Sequence, residues 1–273
     1  MEKLMKRFSL GIVLAALCAV AVLSLSGCGN GASTTNGGKA GTGSIWVTSC
    51  YTVYSESGEK SQESINEYDD RGNTIRTTLK FYTTDDPDNP SESVLECSDF
   101  TPDGYPLTTT TTNVGGSATA NYEYTIEDGL AISRKNTSQA GDGLADTTWT
   151  YYTSGTIKSR IVNTAIDNNT IDFDENGLPT HESGMTDLGS MINKWEADYE
   201  WEFDSKGFPT GYTKTMKMND DAPESAIHRV QCDDHGNILR IYNETGKVIY
   251  EFEYIQINNP SMAAYSLSQA LYI

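Results

Sequence analysis

The sequence predicts an all-β fold: an antiparallel meander of repeated β-hairpins, curved or barrel-like, with a short C-terminal helix as an option at its end. Three observations carry this. Apolar and charged residues alternate with period two along many short stretches. One turn formula recurs between them: a ring or apolar residue, Asp, two variable residues, Gly. A polar, small-residue stretch before Ile45 marks where the folded part begins.

The first element is residues 1–27. Lys3, Lys6 and Arg7 precede an apolar run from Phe8 to Leu25, the layout of a secretory signal peptide. The run is interrupted by Ser9 and Gly11, and it is borderline for a spanning helix, which needs about 20 apolar residues. Leu25-Ser26-Gly27-Cys28 closes it, and this end resembles the lipobox of bacterial lipoproteins. The resemblance implies cleavage before Cys28, lipidation of its sulfur (diacylglyceryl and palmitate-type acyl chains) and an extracytoplasmic, membrane-anchored address. Gly29 in place of Asp implies the outer membrane in a two-membrane cell, and the outer face of the plasma membrane otherwise. Two or more acyl chains anchor stably where a single chain binds only marginally.

Residues 28–44 form the second element, a lipid-anchored Gly/Ser/Thr tether. A chain of this composition spans roughly 20–24 Å as a random coil. Residues 45–273 form the third, a repeat-built β domain. Its clearest strand sets Ala197, Tyr199, Trp201 and Phe203 against Asp198, Glu200 and Glu202. A strand puts those two sets on opposite faces, whereas a helix scatters the carboxylates around its circumference. Ile75, Leu79 and Phe81 alternate with Arg76 and Lys80, and the period returns in Tyr122, Tyr124 and Ile126, in Trp149 and Tyr151, and in Val248, Tyr250, Phe252 and Tyr254. Half-wet strands of this kind belong to antiparallel sheets.

The turns are Tyr68-Asp69 to Gly72-Asn73, Phe173-Asp174 to Gly177, Phe203-Asp204 to Gly207, and Cys232-Asp233 to Gly236, with looser copies ending at Gly104, Gly129, Gly155 and Gly246. Asp accepts a backbone N–H two residues on, and Gly takes the positive φ that returns the chain to the ladder. The acidic run from Asp85 to Pro90 reads as a return loop at a sheet edge. Met262, Tyr265, Leu267 and Leu271 suggest a short helix or a last strand covering an edge.

The Tyr-Asp-x-x-Gly-Asn pattern at 68–73, with degenerate versions at 173, 203 and 232, resembles YD repeats, also called RHS-like repeats, of bacterial surface and secreted proteins. The resemblance covers most of residues 66–254 and implies a long antiparallel meander. This number of copies is too small for the cocoon that long arrays build.

The formal net charge is −19, and loss of Lys3, Lys6 and Arg7 with the signal leaves the mature chain more acidic. That argues against nucleic acid as a partner, since phosphate contact needs clustered Lys and Arg. It argues equally against a basic grip on anionic lipid, so the membrane contact rests on Cys28. Cys50, Cys97 and Cys232 remain beyond it, an odd number, open to one disulfide and a free thiol or to three buried thiols. Asp172, Asp174 and Asn176 match the first half of a calcium loop, but position twelve is Ser183 and not Glu. Calcium is the one cofactor these residues leave open, and otherwise none is expected. Cys232 and His235 lack the second ligand pair of a structural zinc site.

No nucleophile elbow or phosphate loop appears. The expected function is therefore a non-enzymatic binding or scaffolding role at the envelope, with an envelope protein or a glycan as partner. Two alternatives stand beside it: a glycan-binding module using exposed Trp46 and Trp149, and a hydrolase with an unrecognised carboxylate pair.

Overall fold

A computed structural model describes residues 43–83, 86–138, 145–189 and 191–271. Cys28, the signal segment and nearly all of the tether lie outside them. The strands are β1 (Ser44–Tyr54), β2 (Lys60–Tyr68), β3 (Thr74–Thr83), β4 (Asp86–Phe100), β5 (Pro106–Asn113), β6 (Gly116–Glu127), β7 (Leu130–Asn136) and β8 (Asp146–Tyr151). They continue as β9 (Ile157–Asn163), β10 (Asp167–Phe173), β11 (Pro179–Asp187), β12 (Ile192–Phe203), β13 (Pro209–Met218), β14 (Glu224–Cys232), β15 (Ile238–Tyr242) and β16 (Val248–Asn258). Among the described residues one helix follows, α1 (Met262–Ser268).

Each strand pairs antiparallel with its neighbours in sequence, and β16 returns to β1, closing a 16-stranded barrel. The closing seam runs from Ser44 opposite Asn258 to Val53 opposite Tyr250. Closure leaves no open edge for another chain to extend. The expected meander is therefore observed in its closed form.

The alternation read from sequence decides which side faces in. On β12, Ala197 and Tyr199 are buried while Glu196, Asp198 and Glu200 are exposed. On β3 the outward Arg76 sits between Glu67 at 3.8 Å and Glu96 at 3.7 Å, and Lys80 lies between Glu63 at 3.7 Å and Glu92 at 3.9 Å. Such exposed pairs contribute about 0–1 kcal/mol each, but they keep the outer face wet. A barrel set in lipid has the opposite pattern, apolar outside and polar within.

The turns behave as their formula requires. At Asp174 the main chain closes twice, Asp174 N–H to the Leu178 carbonyl (2.9 Å) and Gly177 N–H to the Asp174 carbonyl (3.0 Å). The Asp174 carboxylate accepts from the N–H of Asn176 and of Leu178, both at 2.9 Å. Asp69, Asp204 and Asp233 repeat this arrangement. The amide bonds, that from Phe208 foremost, hold the Asp204 carboxyl below the usual carboxylate range. The looser copies at Gly104, Gly155 and Gly246 close the same way, as does an unforeseen one from Ser55 to Gly58. Gly129 differs: Asp128 and Gly129 both have positive φ (52° and 82°), a two-residue type I′ hairpin.

Three expectations need correction. Phe203 does not join the core but is 43% exposed, whereas Phe173, beside an equivalent bulge, is 2% exposed; the C-terminal segment packs on the Gly177 turn and leaves the Gly207 turn in open space. Asp86 to Pro90 are not an edge loop but the start of β4. Here the register jumps from Phe81–Ser91 to Thr83–Asp86, leaving an irregular stretch in which a proline's missing N–H is tolerated. The C-terminal segment covers no sheet edge and instead lies across one end of the barrel.

That end carries the Asp-Gly turns. Ser261 caps α1, its Oγ accepting from Ala264 N–H at 3.0 Å. The Ser261 hydroxyl also donates to the Asn73 side-chain oxygen, and its N–H donates to the Arg71 carbonyl at 2.9 Å. Ala263 N–H reaches the Asp103 carbonyl (3.0 Å) and Leu271 N–H the Gly177 carbonyl (2.8 Å). A Cβ on Gly177, whose φ is +77°, would overlap the Gln269 carbonyl, whereas one on Gly207 (φ +84°) meets open space.

Gly207→Ala should thus cost only the left-handed backbone strain, about 1–2 kcal/mol. Gly177→Ala adds an overpacking term of about 1–3 kcal/mol. Urea unfolding of both variants checks this, and equal midpoints would refute the docking of α1 on that turn.

Candidate functional site

The inner face is not uniformly apolar. Beneath α1 lies a cavity of about 60 Å³, walled by Asn66, Thr77, Tyr124, Arg134 and Trp149 and roofed by Ala263, Ala264 and Leu267. Inward-facing residues of β2, β3, β6, β7 and β8 thus converge under one helix. Asn66 and Thr77 satisfy each other across β2 and β3, with Thr77 Oγ1 donating to Asn66 Oδ1 at 2.9 Å.

Arg134 is 8% exposed. Its terminal Nη2 donates to Thr147 Oγ1 at 2.9 Å, and its guanidinium lies 4.7 Å from the centre of the Tyr122 ring. The Tyr124 hydroxyl also bonds it, while burial pushes that phenol above its ordinary range. The Arg134 Nε is buried without a hydrogen-bond partner, and so is the Trp149 Nε1. Among the described residues Arg134 makes no ion pair. Trp149 faces a second buried arginine, Arg160, across the β8–β9 ladder. Glu182 is the buried carboxylate of the described residues, and Lys214 engages it at 3.8 Å from the next-but-one strand. Among the described residues the interior of this chain of net charge −19 thus holds two arginines and one glutamate.

Trp149 was expected as an exposed ring, and this is corrected: it is 9% exposed and belongs to the core cluster with Tyr105, Ile157 and Phe173. The inward parity of β8, shared with Thr147 and Tyr151, puts it there. Trp46 is half-buried, its ring tilted against His235 at 5.1 Å. For calcium, the Asp174 oxygens are occupied by the turn, including Asn176 Nδ2 donating to Oδ2 at 3.3 Å. Among the described residues no cluster of three or more His, Cys, Asp or Glu side chains is arranged to share a metal.

Arg134 escaped the sequence reading for a physical reason. A bulge between Thr125 and Ile126 shifts the β6–β7 register by one residue, so Ala131 and Arg134, of opposite parity, both end up buried. Only the bulge, not the local sequence, marks the arginine as internal.

No family model matches the chain, and no curated protein matches it. Among solved structures it is similar to TcdB2-TccC3-TEV, with a TM-score of 0.32 and 11% identity over 82% of this chain. The chain spans 15% of the length of that protein. It is also similar to two porin-like proteins. For that of Bacteroides uniformis ATCC 8492 the TM-score is 0.37 at 12% identity, covering 79% of this chain and 98% of the other. For that of Bacteroides vulgatus ATCC 8482 it is 0.36 at 12%, covering 76% and 98%.

The thiols are free at Cys50, Cys97 and Cys232. Burial raises all three, Cys50 to about 11 and Cys97 and Cys232 to about 12. Since the thiolate is the reactive form, iodoacetamide at pH 8 should label the native barrel slowly, Cys97 slowest, and all three quickly in urea. Rapid native labelling of Cys97 by mass spectrometry would contradict the packing described.

Proposed function

We propose that this chain is a lipid-anchored, extracytoplasmic, non-enzymatic protein whose barrel stands in water beside the membrane and binds or scaffolds a partner at the envelope. The observation that carries this is the polarity of the wall. Acidic and basic side chains face outward along β3 and β12, and Leu79, Ala197 and Tyr199 face inward. Burying that outer face in hydrocarbon would strip the charges of water at a cost of about 2–4 kcal/mol for each midplane Lys or Arg. Attachment is then left to Cys28. The chain enters β1 at Ser44, beside the end of β16 and therefore on the rim that bears α1. On this reading the plugged rim faces the membrane and the other rim faces outward.

Metabolic labelling with a palmitate analogue and detergent phase partitioning test this. The wild-type chain should take the label and enter the detergent phase, and Cys28→Ser should do neither. A Cys28→Ser protein freed of residues 1–27 that still partitions into detergent would mean that the barrel itself enters lipid, and the reading would fall.

A further inference from the structure

The geometry points to a binding site for a small carboxylate in the cavity beneath α1, with Arg134 and Trp149 as its donors. Two residues of its lining, Arg134 and Trp149, each carry a buried N–H (Nε and Nε1) that has no acceptor within the protein. Leaving a buried donor unsatisfied costs about 1–3 kcal/mol, and more when the group is charged. A buried cation without a counter-charge is costlier still, since the interior cannot replace its hydration. Arg134 is in that position: Thr147 and the two tyrosines give it neutral contacts but no carboxylate.

What would satisfy this set is defined by its chemistry. The open groups are donors, so the ligand must accept, and the charge it meets is positive, so it should be an anion. A guanidinium edge matches the two oxygens of a carboxylate. The volume of about 60 Å³ is several times the roughly 10–15 Å³ that one water requires. That suits an acid of three or four carbons or fewer. Val47, Ala263, Ala264 and Leu267 offer apolar wall to a short hydrocarbon tail. A tetrahedral dianion such as phosphate would meet too few donors and too much hydrocarbon. Water in the volume would leave the guanidinium without counter-charge.

This gives the binding reading of the barrel a ligand class and rests on it only to that extent. A chain that binds a carboxylate but carries no lipid would overturn the anchor and keep the site, and an anchored chain that binds none would do the reverse. The test uses the full chain in detergent, labelled with 5-fluorotryptophan and titrated with sodium propionate. Propionamide and sodium chloride at matched ionic strength serve as controls. Propionate should raise the melting temperature saturably, as a ligand of the native state does, and shift the fluorine resonance that Trp149→Phe removes. Arg134→Gln should reduce the apparent affinity at least tenfold. If Arg134→Gln does not fold, Trp149→Phe, which keeps the charge and loses one donor, should weaken binding severalfold. An equal response to propionamide or chloride would overturn the proposal. So would a crystal structure grown in propionate with only waters on the two nitrogens.

Discussion

The barrel depends on one packing constraint: the C-terminal segment must cross the turn-bearing rim. Leu271 belongs to the core cluster of Tyr199, Tyr212 and Phe252, while Ala263 and Ala270 belong to that of Trp149, Ile157 and Phe173. Ala264 joins a third cluster with Ile45, Val47 and Ile257 at the closing seam. One short stretch thus touches every apolar cluster of the interior. Sixteen strands enclose more space than wall side chains alone fill, and without the segment the inner rings at this end would face water. The small residues of α1 are what let it sit this close, and the turns accommodate it with glycines that have no Cβ to obstruct it.

The repeat makes that rim regular. Within each turn, Asp ties down the backbone and Gly supplies the left-handed residue. The asparagine after Gly adds a further tie: Asn73 and Asn237 donate through Nδ2 to the other carboxylate oxygen, at 2.7 and 2.8 Å, and both are buried. The ring near the turn joins one hairpin to the previous one. Tyr68 donates to the Thr48 carbonyl (2.7 Å), Tyr151 to that of Ala131 (2.8 Å), Trp201 to that of Pro179 (2.8 Å) and Tyr254 to that of Ile238 (2.9 Å). At Cys232 a thiol takes the same place, donating to the Pro209 carbonyl at 3.4 Å. The Tyr-Asp pair of the repeat therefore has a physical division of labour: Asp closes its own turn, and Tyr holds the neighbouring hairpin. In the degenerate copies Cys232 donates from the tyrosine position, and Trp201 donates from two residues before Phe203.

The separation of charge follows from the same wall. The outer face is rich in Glu and Asp, in a chain whose formal net charge is −19. The interior does not share that sign. Glu182 is compensated by Lys214, while Arg134 lies over the Tyr122 ring. Rings stabilise guanidinium groups through their faces, so tyrosine and tryptophan are apt residues for a wall that must pack and still hold buried cations.

Local sequence was sufficient wherever the determining contacts are local. The period of two on β12 sorted Tyr199 from Asp198 and Glu200, and the Asp-to-Gly spacing located the turns at 69–72, 174–177, 204–207 and 233–236, because side-chain alternation and turn hydrogen bonds span only a few residues. Bulges were not legible: the one opposite Thr125 and Ile126 turns Arg134 inward, since a single inserted residue reverses parity without changing composition. The partner of β1 was also hidden, as β16 lies two hundred residues away. So was the place of the last residues, whose mixed spacing fitted a helix or a strand equally. The interior cavity comes from strands β1 to β8 meeting under α1, and no one of them bears a motif for it. The sequence by itself determined a wet-outside β meander and its turns. Only the tertiary structure decided that the meander closes, that its end is plugged and that an arginine is enclosed, because closure, plugging and burial depend on contacts between residues far apart in the chain.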